Sequence, residues 1–184
     1  MNSEFILNKK DGEKVKSIIK LLDISYLDNI LILQQYIYDL IENKDFYFCS
    51  SREELEMILN GRGKILGCII EETNELVAIG VYAKFGYDKE NYGYDLGIKG
   101  KELLNVANFE STIVHPDYRG NKLQKILVEN LEELAKADNI KYISATAAPD
   151  NKYSVDNIKS SGFEIVCEKL KYGGLRRYVF IKRI

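Results

Sequence analysis

The chain has 184 residues, of which 46% are hydrophobic and 29% charged, and this length predicts a single domain, 1–184, that can bury a core without cross-links. The 26 basic and 28 acidic residues give a net charge of −2, which excludes the strongly basic signature of nucleic-acid-binding proteins. No apolar run is long enough for a membrane span, and the first residues lack the layout of a signal peptide. We therefore expect a soluble, cytoplasmic monomer or homodimer without nucleic-acid or membrane partners.

The cysteines and the histidine predict neither a disulfide framework nor a metal site. Cys49, Cys68 and Cys167 are odd in number and far apart, and His115 is the only histidine; such a set does not match the spacing of disulfide-rich or zinc-binding proteins. We expect the cysteines to pack as small apolar groups, with an acyl-enzyme role as the alternative. His115 is expected to be a solvated turn residue rather than a catalyst.

The first half of the sequence is expected to be mostly helical and to end in a hairpin. Apolar residues at helical spacing predict a helix over about 26–43. Ser51 and Glu54 form a capping box, so a short helix should begin there and end near Asn60. Two runs rich in β-branched residues, 64–72 and 75–85, predict an antiparallel hairpin.

The second half alternates between strands and helices, which predicts an α/β fold. A strand, a helix and a strand in succession require a right-handed crossover between parallel strands, and the hairpins add antiparallel flanks. We expect a mixed, mostly antiparallel central sheet with one parallel βαβ crossover and helices on both faces. The predicted elements are a strand at 107–114, a helix from Arg119 to about Ala137, a strand at 140–147, a helix at about 151–161 and two strands around Gly173-Gly174.

The segment VHPDYRGNKLQ, residues 114–124, joins a predicted strand to a predicted helix. The N–H groups at a helix N-terminus and its partial positive charge make such a junction a phosphate-binding site. Gly120 allows a close backbone approach, and Arg119 and Lys122 add positive charge. The alternatives are an ordinary turn with solvated basic residues, or a cradle for another phosphorylated ligand such as a nucleotide. The segment is neither a Walker loop nor a GxGxxG motif.

At these residues the sequence resembles the GNAT superfamily of N-acetyltransferases. Their motif is a strand that ends in Val-x-Pro-x-Tyr-Arg-Gly, with Gln/Arg-x-x-Gly-x-Gly/Ala overlapping it at the helix start. The sequence departs from it at Lys122 and Gln124, where the family usually has small residues. Downstream, Asn151 stands eleven residues before Gly162-Phe163, as it often does in the family. The residues that match the first motif are Val114, Pro116, Tyr118, Arg119 and Gly120.

The resemblance implies that acetyl-CoA is the cosubstrate and that no metal takes part. Its pyrophosphate would lie on the backbone N–H groups of residues 119–124. Its pantetheine arm would pair like an added strand with residues 112–114, where the central strands splay, and Asn151 would contact the arm from the other side. The expected acetyl-CoA-binding residues are Thr112, Ile113, Val114, Arg119, Gly120, Asn121, Lys122, Leu123, Gln124, Asn151, Ser154 and Asn157.

Glu110 is the candidate general base, because an amine with an ordinary pKa of about 10 must lose a proton before it attacks a thioester. The glutamate stands four residues before Val114, where related enzymes often carry one; the alternative is a solvated or ion-paired strand residue. Ile158 occupies the position of the family's frequent tyrosine acid, and Thr146 replaces a glutamate that some members carry. No general acid can therefore be assigned by resemblance.

The expected acceptor is the primary amine of a small molecule, to which the acetyl group is transferred directly. The glycine-rich loop at 86–105 is long for a strand connection, and tyrosines beside it are candidates for the acceptor pocket. Arg176-Arg177 is expected to be an exposed pair at a sheet edge. The alternative functions are a non-catalytic acyl-CoA-binding sensor of the same fold and a protein or peptide N-acetyltransferase. The candidate tyrosines are Tyr82, Tyr87, Tyr92 and Tyr94.

Overall fold

The structure, a computed structural model, describes residues 3–184 and has the predicted α/β architecture. Its strands form one mixed sheet in the order β1-β2-β3-β4-β5-β6-β8-β7. The described elements are β1 (Ser3–Asn8), β2 (Lys14–Leu21), α1 (Leu27–Leu40), α2 (Arg52–Met57), β3 (Gly63–Ile70), β4 (Leu76–Ala83), β5 (Val106–Val114), α3 (Leu123–Ala137), β6 (Tyr142–Ala147), α4 (Lys152–Ser160), β7 (Glu164–Lys171) and β8 (Leu175–Arg183).

The predicted parallel crossover is confirmed. β5 and β6 pair in parallel, with Val106 opposite Tyr142 and Phe109 opposite Ala145, and α3 connects them. The final hairpin is also confirmed, because β7 and β8 are antiparallel. Its turn has positive φ angles at Tyr172, Gly173 and Gly174, two of which are glycines that adopt such angles without steric cost.

The expectation that the first half is mostly helical is wrong at the N-terminus. β1 and β2 form an antiparallel hairpin, with Phe5 opposite Ser17 and Leu7 opposite Val15. The turn between them places Gly12 at a φ of +91°, and the Lys9 N–H donates to the Glu13 carbonyl at 2.8 Å. A tight turn with a glycine at positive φ between two strands is typical of a hairpin.

The chain divides into two compact units, and the single-domain prediction stays a prediction. The first unit comprises the chain up to Leu40, Cys49–Val81 and Ser111–Leu131, and the second comprises Ile41–Phe48, Tyr82–Glu110 and Glu132–Ile184.

Helix packing on strands forms the core of the first unit. Leu123 and Leu127 of α3 are buried. A Cβ atom at Gly80 of β4 would lie 3.0 Å from the Leu131 Cδ1 atom and 3.2 Å from the Leu127 Cβ atom, so the glycine permits close packing of α3 on β4. The predicted first helix is confirmed as α1, and its Gln34 side chain donates to the Ser50 carbonyl and accepts from the Ser50 N–H.

Aromatic rings fill the core of the second unit. Phe109 of β5 lies 6.1 Å from Phe163 and 6.4 Å from Tyr82, measured between ring centroids. Gly162 has a φ of +86°, and the Phe163 N–H donates to the Ile158 carbonyl at 3.4 Å. The glycine therefore ends α4 in a left-handed cap, which directs the next residue into the core. Within the described chain no helix is both long and apolar enough to span a bilayer.

We predict that Leu127→Ala lowers the free energy of unfolding by about 2–5 kcal/mol, because it leaves a cavity at a fully buried position. Ile32→Ala, at an α1 residue that is 68% exposed, should change it by less than about 1 kcal/mol. Urea unfolding of both variants tests this, and equal losses would contradict the packing.

Candidate active site

β5 continues beyond its parallel ladder with β6. The ladder ends where Phe109 lies opposite Ala145, whereas β5 extends to Val114. Glu110 is the first residue after the last ladder pair, and Thr112 and Val114 follow at the alternate positions that share its face. The predicted pantetheine-pairing residues 112–114 thus lie on strand backbone outside this ladder.

The turn after β5 forms a tight cradle before α3 begins. A short 3₁₀ turn at Pro116–Tyr118 is followed by Arg119 in extended conformation, and α3 starts at Leu123. The prediction that the helix begins at Arg119 is wrong, because Gly120 has a φ of +88° and Lys122 a φ of +59°. Two left-handed residues cannot continue a right-handed helix.

Lys122 adopts a backbone conformation that glycine favours, with a φ of +59°. A lysine in this region carries a steric cost that a glycine does not. Lys122 nevertheless adopts this conformation in the turn, and its exposed side chain adds a positive charge there. Arg119 is exposed as well, so two basic side chains flank Gly120.

Asn121 anchors the cradle to β1. Its Oδ1 atom accepts from the Asn8 N–H at 2.9 Å, and its Nδ2 atom donates to the Asn8 carbonyl at 2.8 Å and to the Tyr118 carbonyl at 2.9 Å. The Lys10 N–H also donates to the Asp117 carbonyl at 2.8 Å. The Asn121 side chain therefore holds the turn against β1, and the predicted contact of its backbone with acetyl-CoA stays a prediction.

The cradle fits an anionic group. A Cβ atom at Gly120 would meet nothing within 4 Å, so the backbone there faces open space in which a phosphate can approach. The N–H groups of the first turn of α3 point out of the helix N-terminus beside it. The residues present thus match the phosphate chemistry of a CoA pyrophosphate.

His115 supports the turn rather than standing in solvent. Its ring stacks on Tyr36 of α1, with centroids 4.8 Å apart and an interplanar angle of 7°. Its Nδ1 atom accepts from the Asp117 N–H at 3.3 Å. The imidazole is half-buried: it packs on Tyr36 and caps the turn at Asp117. The expectation of a solvated residue is therefore wrong.

Two donors fix the carboxylate of Glu110. The Tyr92 hydroxyl donates to Oε2 at 3.0 Å, and the Asn108 amide donates to Oε1 at 2.8 Å. Asn108 is itself fixed, because it also donates to the Glu90 carbonyl at 2.9 Å and accepts from the Tyr92 N–H at 3.2 Å. Hydrogen bonds to both oxygens orient the carboxylate.

A second tyrosine extends this network. The Tyr172 hydroxyl forms a short hydrogen bond with the Tyr92 hydroxyl and another, at 3.0 Å, with Thr146 Oγ1. The Tyr172 ring stacks on Phe48 with centroids 4.7 Å apart. One residue each from the segment after α1, the 86–105 loop and the final hairpin meet here. Sequence reasoning missed Tyr172 because its contacts are distant in sequence, whereas Asn108 could have been found, since it stands two residues before Glu110 on the same strand face.

Burial and the Glu110 charge keep both tyrosines protonated. Burial is the main cause that raises the pKa of Tyr92 well above its ordinary value, and the negative charge of Glu110 adds to it. Burial and Glu110 also raise the pKa of Tyr172 to about 12, although the hydrogen bonds with Thr146 and Tyr92 and the charge of Arg177 act in the opposite direction. Both hydroxyls can therefore donate at neutral pH.

The burial of Arg177 contradicts one prediction about the final hairpin. The pair Arg176-Arg177 was expected to be exposed at an edge, but Arg177 is only 3% exposed, since β8 lies between β6 and β7. Its guanidinium lies over the Tyr172 ring, 5.3 Å from the centroid, and burial lowers its pKa. Arg176 is exposed and pairs with Glu168 at 2.7 Å.

The downstream candidate residues lie at α4. Asn151 caps this helix, since its Oδ1 atom accepts from the Ser154 N–H at 3.1 Å. The Asn157 carbonyl accepts from the Ser160 and Ser161 hydroxyls. Their predicted contacts with acetyl-CoA stay predictions.

The remaining candidate tyrosines and the cysteines lie partly in the core and partly at the surface. Tyr82 is buried and donates to Asp138 at 2.8 Å, so it belongs to the core rather than to a pocket. Tyr87 and Tyr94 are exposed, and the Tyr94 hydroxyl donates to the Tyr87 carbonyl. All three cysteines are free thiols, and burial raises the pKa of Cys68 to about 11. Among residues 3–184, no group of three or more His, Cys, Asp or Glu side chains could hold a metal ion.

A family model described as the acetyltransferase (GNAT) family matches residues 35–163. The chain belongs to this family. Membership confirms the predicted class, an N-acetyltransferase of the GNAT superfamily, whose members typically use acetyl-CoA. A comparison with curated proteins finds no match.

Solved GNAT structures share the fold. A probable acetyltransferase from Staphylococcus epidermidis ATCC 12228 is 21% identical with a TM-score of 0.69, over 91% of this chain and 98% of that one. An acetyltransferase of the GNAT family from Streptococcus pneumoniae is 17% identical with a TM-score of 0.67, over 91% and 99%. The ribosomal-protein-S18-alanine N-acetyltransferase from Escherichia coli is 14% identical with a TM-score of 0.66, over 91% and 94%. At these identities the likeness establishes the fold and leaves the acceptor open.

The raised pKa of Tyr172 predicts a loss of stability in alkali. An unfolded tyrosine titrates near pH 10 and the folded Tyr172 at about 12, so its contribution is complete below pH 10 and is lost as the pH rises towards 12. The loss should be on the order of 2 kcal/mol in wild type and smaller in Tyr172→Phe. Urea unfolding between pH 9 and 12 measures it, and equal slopes for the two proteins would contradict the burial of the hydroxyl.

Proposed function

We propose that the protein transfers the acetyl group of acetyl-CoA directly to the primary amine of a small molecule. The observation that supports this most strongly is the oriented carboxylate of Glu110, which two buried donors hold at the end of the parallel ladder. A base held in one orientation by hydrogen bonds provides what amine acetylation needs beyond cosubstrate binding. Metal ions, nucleic acid and membranes have no part in this proposal.

Acetyl-CoA supplies the activated acetyl group, and the cradle is proposed to hold its pyrophosphate. The backbone N–H groups of 119–124 would bind the phosphate oxygens, and Arg119 and Lys122 would add attraction at long range. Thr112, Ile113 and Val114 would hold the pantetheine arm through main-chain hydrogen bonds, which need no particular side chains. A backbone N–H near Ile113 or Val114 would stabilise the oxygen on which negative charge develops.

Glu110 is proposed to take the proton from the acceptor ammonium, directly or through one water. The amine then attacks as the neutral species, because a protonated nitrogen has no electron pair to form the new bond. Tyr92 and Asn108 keep the carboxylate in one orientation, which limits the motion that would separate it from the amine. A cytoplasmic location and a monomeric or homodimeric state remain our predictions.

Gly120→Glu should raise the dissociation constant of acetyl-CoA at least about tenfold, because it adds a side chain and a negative charge to a backbone with positive φ. Gly61→Glu is the matched control, since Gly61 also has a positive φ and open space at its Cβ position. Calorimetric titration of both variants measures the effect. Unchanged affinity in Gly120→Glu would place the phosphates elsewhere.

Lys122→Gly separates the charge of the cradle from its backbone. Glycine adopts the observed φ of +59° without strain, so only the cation is lost. Because an exposed charge contributes about 1 kcal/mol or less, the affinity for acetyl-CoA should fall by less than about fivefold, and the fall should shrink at high salt. A loss as large as that of Gly120→Glu would show that the lysine charge dominates recognition.

Glu110→Gln should lower turnover by about a hundredfold while the affinity for acetyl-CoA stays within about twofold of wild type. The remaining activity should also lose much of its pH dependence, because the titrating base is gone. Glu129→Gln, at an exposed residue of α3, is the control. Equal activity of Glu110→Gln and wild type at every pH would remove Glu110 from the mechanism.

A non-catalytic acyl-CoA sensor is the second candidate, and Ile158 at the family's frequent tyrosine position favours it. Release of free thiol from acetyl-CoA across a panel of small amines and peptides with free N-termini separates the possibilities. Turnover of small amines supports the proposal, turnover of peptides alone would shift the acceptor class, and tight binding without turnover would indicate a sensor. Thermal stabilisation by ATP or NAD alone would overturn all three.

A further inference from the structure

Four side chains join the two strands of the parallel ladder just beyond its end. Glu110 follows Phe109, and Thr146 follows Ala145, the last paired residues of β5 and β6. Tyr92 and Tyr172 stand between Glu110 and Thr146, so the oxygens form a continuous hydrogen-bonded chain in the order Glu110 Oε2, Tyr92 Oη, Tyr172 Oη, Thr146 Oγ1.

The number of protons fixes the direction of every hydrogen bond in this chain. An ionised carboxylate only accepts, and each hydroxyl carries one proton. Tyr92 therefore donates to Glu110, Tyr172 donates to Tyr92, and Thr146 donates to Tyr172. If Glu110 gains a proton, the same three bonds can form in the opposite direction without any heavy atom moving.

We propose that Tyr92 and Tyr172 relay a proton away from Glu110, and this inference rests on the proposed role of Glu110 as the base. The acceptor ammonium gives one proton to the Glu110 carboxylate and becomes a neutral amine. Glu110 passes a proton to Tyr92 while the Tyr92 proton moves to Tyr172, the Tyr172 proton moves to Thr146, and the Thr146 proton leaves to water. The three hydroxyls rotate to the opposite direction before this transfer, and the transfer itself returns Glu110 to a carboxylate and the three bonds to their original direction.

The neighbouring side chains fix the positions of the relay residues and set the charges around the two tyrosines. Asn108 donates to the other carboxylate oxygen, and Phe48 covers one face of the Tyr172 ring. The charged groups that face the relay are Arg177 over the Tyr172 ring and Lys171 over the Tyr92 ring, at 5.3 and 4.8 Å from the centroids. Asp95 pairs with Lys171, and Asp45 acts on Arg177 electrostatically.

Two amines that differ in charge test the relay. Benzylamine is protonated at pH 7 and must lose a proton, whereas aniline of similar size is already neutral. Tyr172→Phe and Tyr92→Phe should lower kcat for benzylamine by about tenfold or more and leave kcat for aniline within about twofold. Tyr82→Phe is the matched control, since it also removes a buried tyrosine hydroxyl that donates to a carboxylate, and it should leave the ratio of the two rates unchanged.

An isosteric replacement covers the case in which the phenylalanine variants fold poorly. Incorporation of 3,5-difluorotyrosine at position 172 keeps the ring and the hydroxyl but makes the phenol more acidic. The alkaline limb of the benzylamine rate profile should then move to lower pH, because an ionised phenol cannot donate to Tyr92. An unchanged profile would overturn the relay.

The outcomes separate the relay from the proposed function. Turnover by wild type together with equal losses for benzylamine and aniline in Tyr172→Phe would show a structural role for the tyrosine, which overturns the relay and leaves acetyl transfer intact. Absence of turnover with every amine in wild type would overturn the proposed function and the relay with it. A selective loss for benzylamine supports both.

Discussion

The pair of hydrogen bonds that Glu110 accepts from Tyr92 and Asn108 is the constraint on which the second unit's chemistry depends. Asn108 also binds the backbone of the 86–105 loop at Glu90 and Tyr92, so the strand and the loop are fixed by one side chain. Asn91 binds the Gly86 and Leu103 carbonyls of the same loop. A long loop thus becomes a rigid support for the carboxylate, because its polar groups are satisfied internally.

The first unit contains the turn that we propose as the binding site of the CoA pyrophosphate. Its turn contains left-handed residues at Gly120 and Lys122, and such a turn holds its shape only when its neighbours fix it. Asn121 provides this through hydrogen bonds to β1 and Tyr118, and the stacked ring of His115 secures the preceding residues. The N-terminal hairpin therefore contributes to the candidate site although it carries none of the predicted binding residues.

Local sequence signals predicted most of the fold, and the misses are of two kinds, local features with weak patterns and contacts distant in sequence. The crossover, the final hairpin and the cap at Ser51 follow from periodicity and turn residues, and the structure has all three. The β1–β2 hairpin was missed although Gly12 marks its turn, because Phe5, Ile6 and Leu7 are consecutive apolar residues without the alternation that predicts a strand. The start of α3 at Leu123 depends on φ angles that a lysine rarely adopts. The burial of Arg177 and the bond between Tyr92 and Tyr172 depend on strand order, which local patterns do not contain.

The central claim is that Glu110 is the base that faces the acceptor amine. A crystal structure with the acetylated product of a turned-over amine tests it most directly. The account predicts the product nitrogen within hydrogen-bond distance of the Glu110 carboxylate, about 2.6–3.2 Å, or joined to it by one water, with the bonds from Tyr92 and Asn108 retained. A product nitrogen that contacts a different acidic or basic side chain, with Glu110 remote from it, would contradict the account.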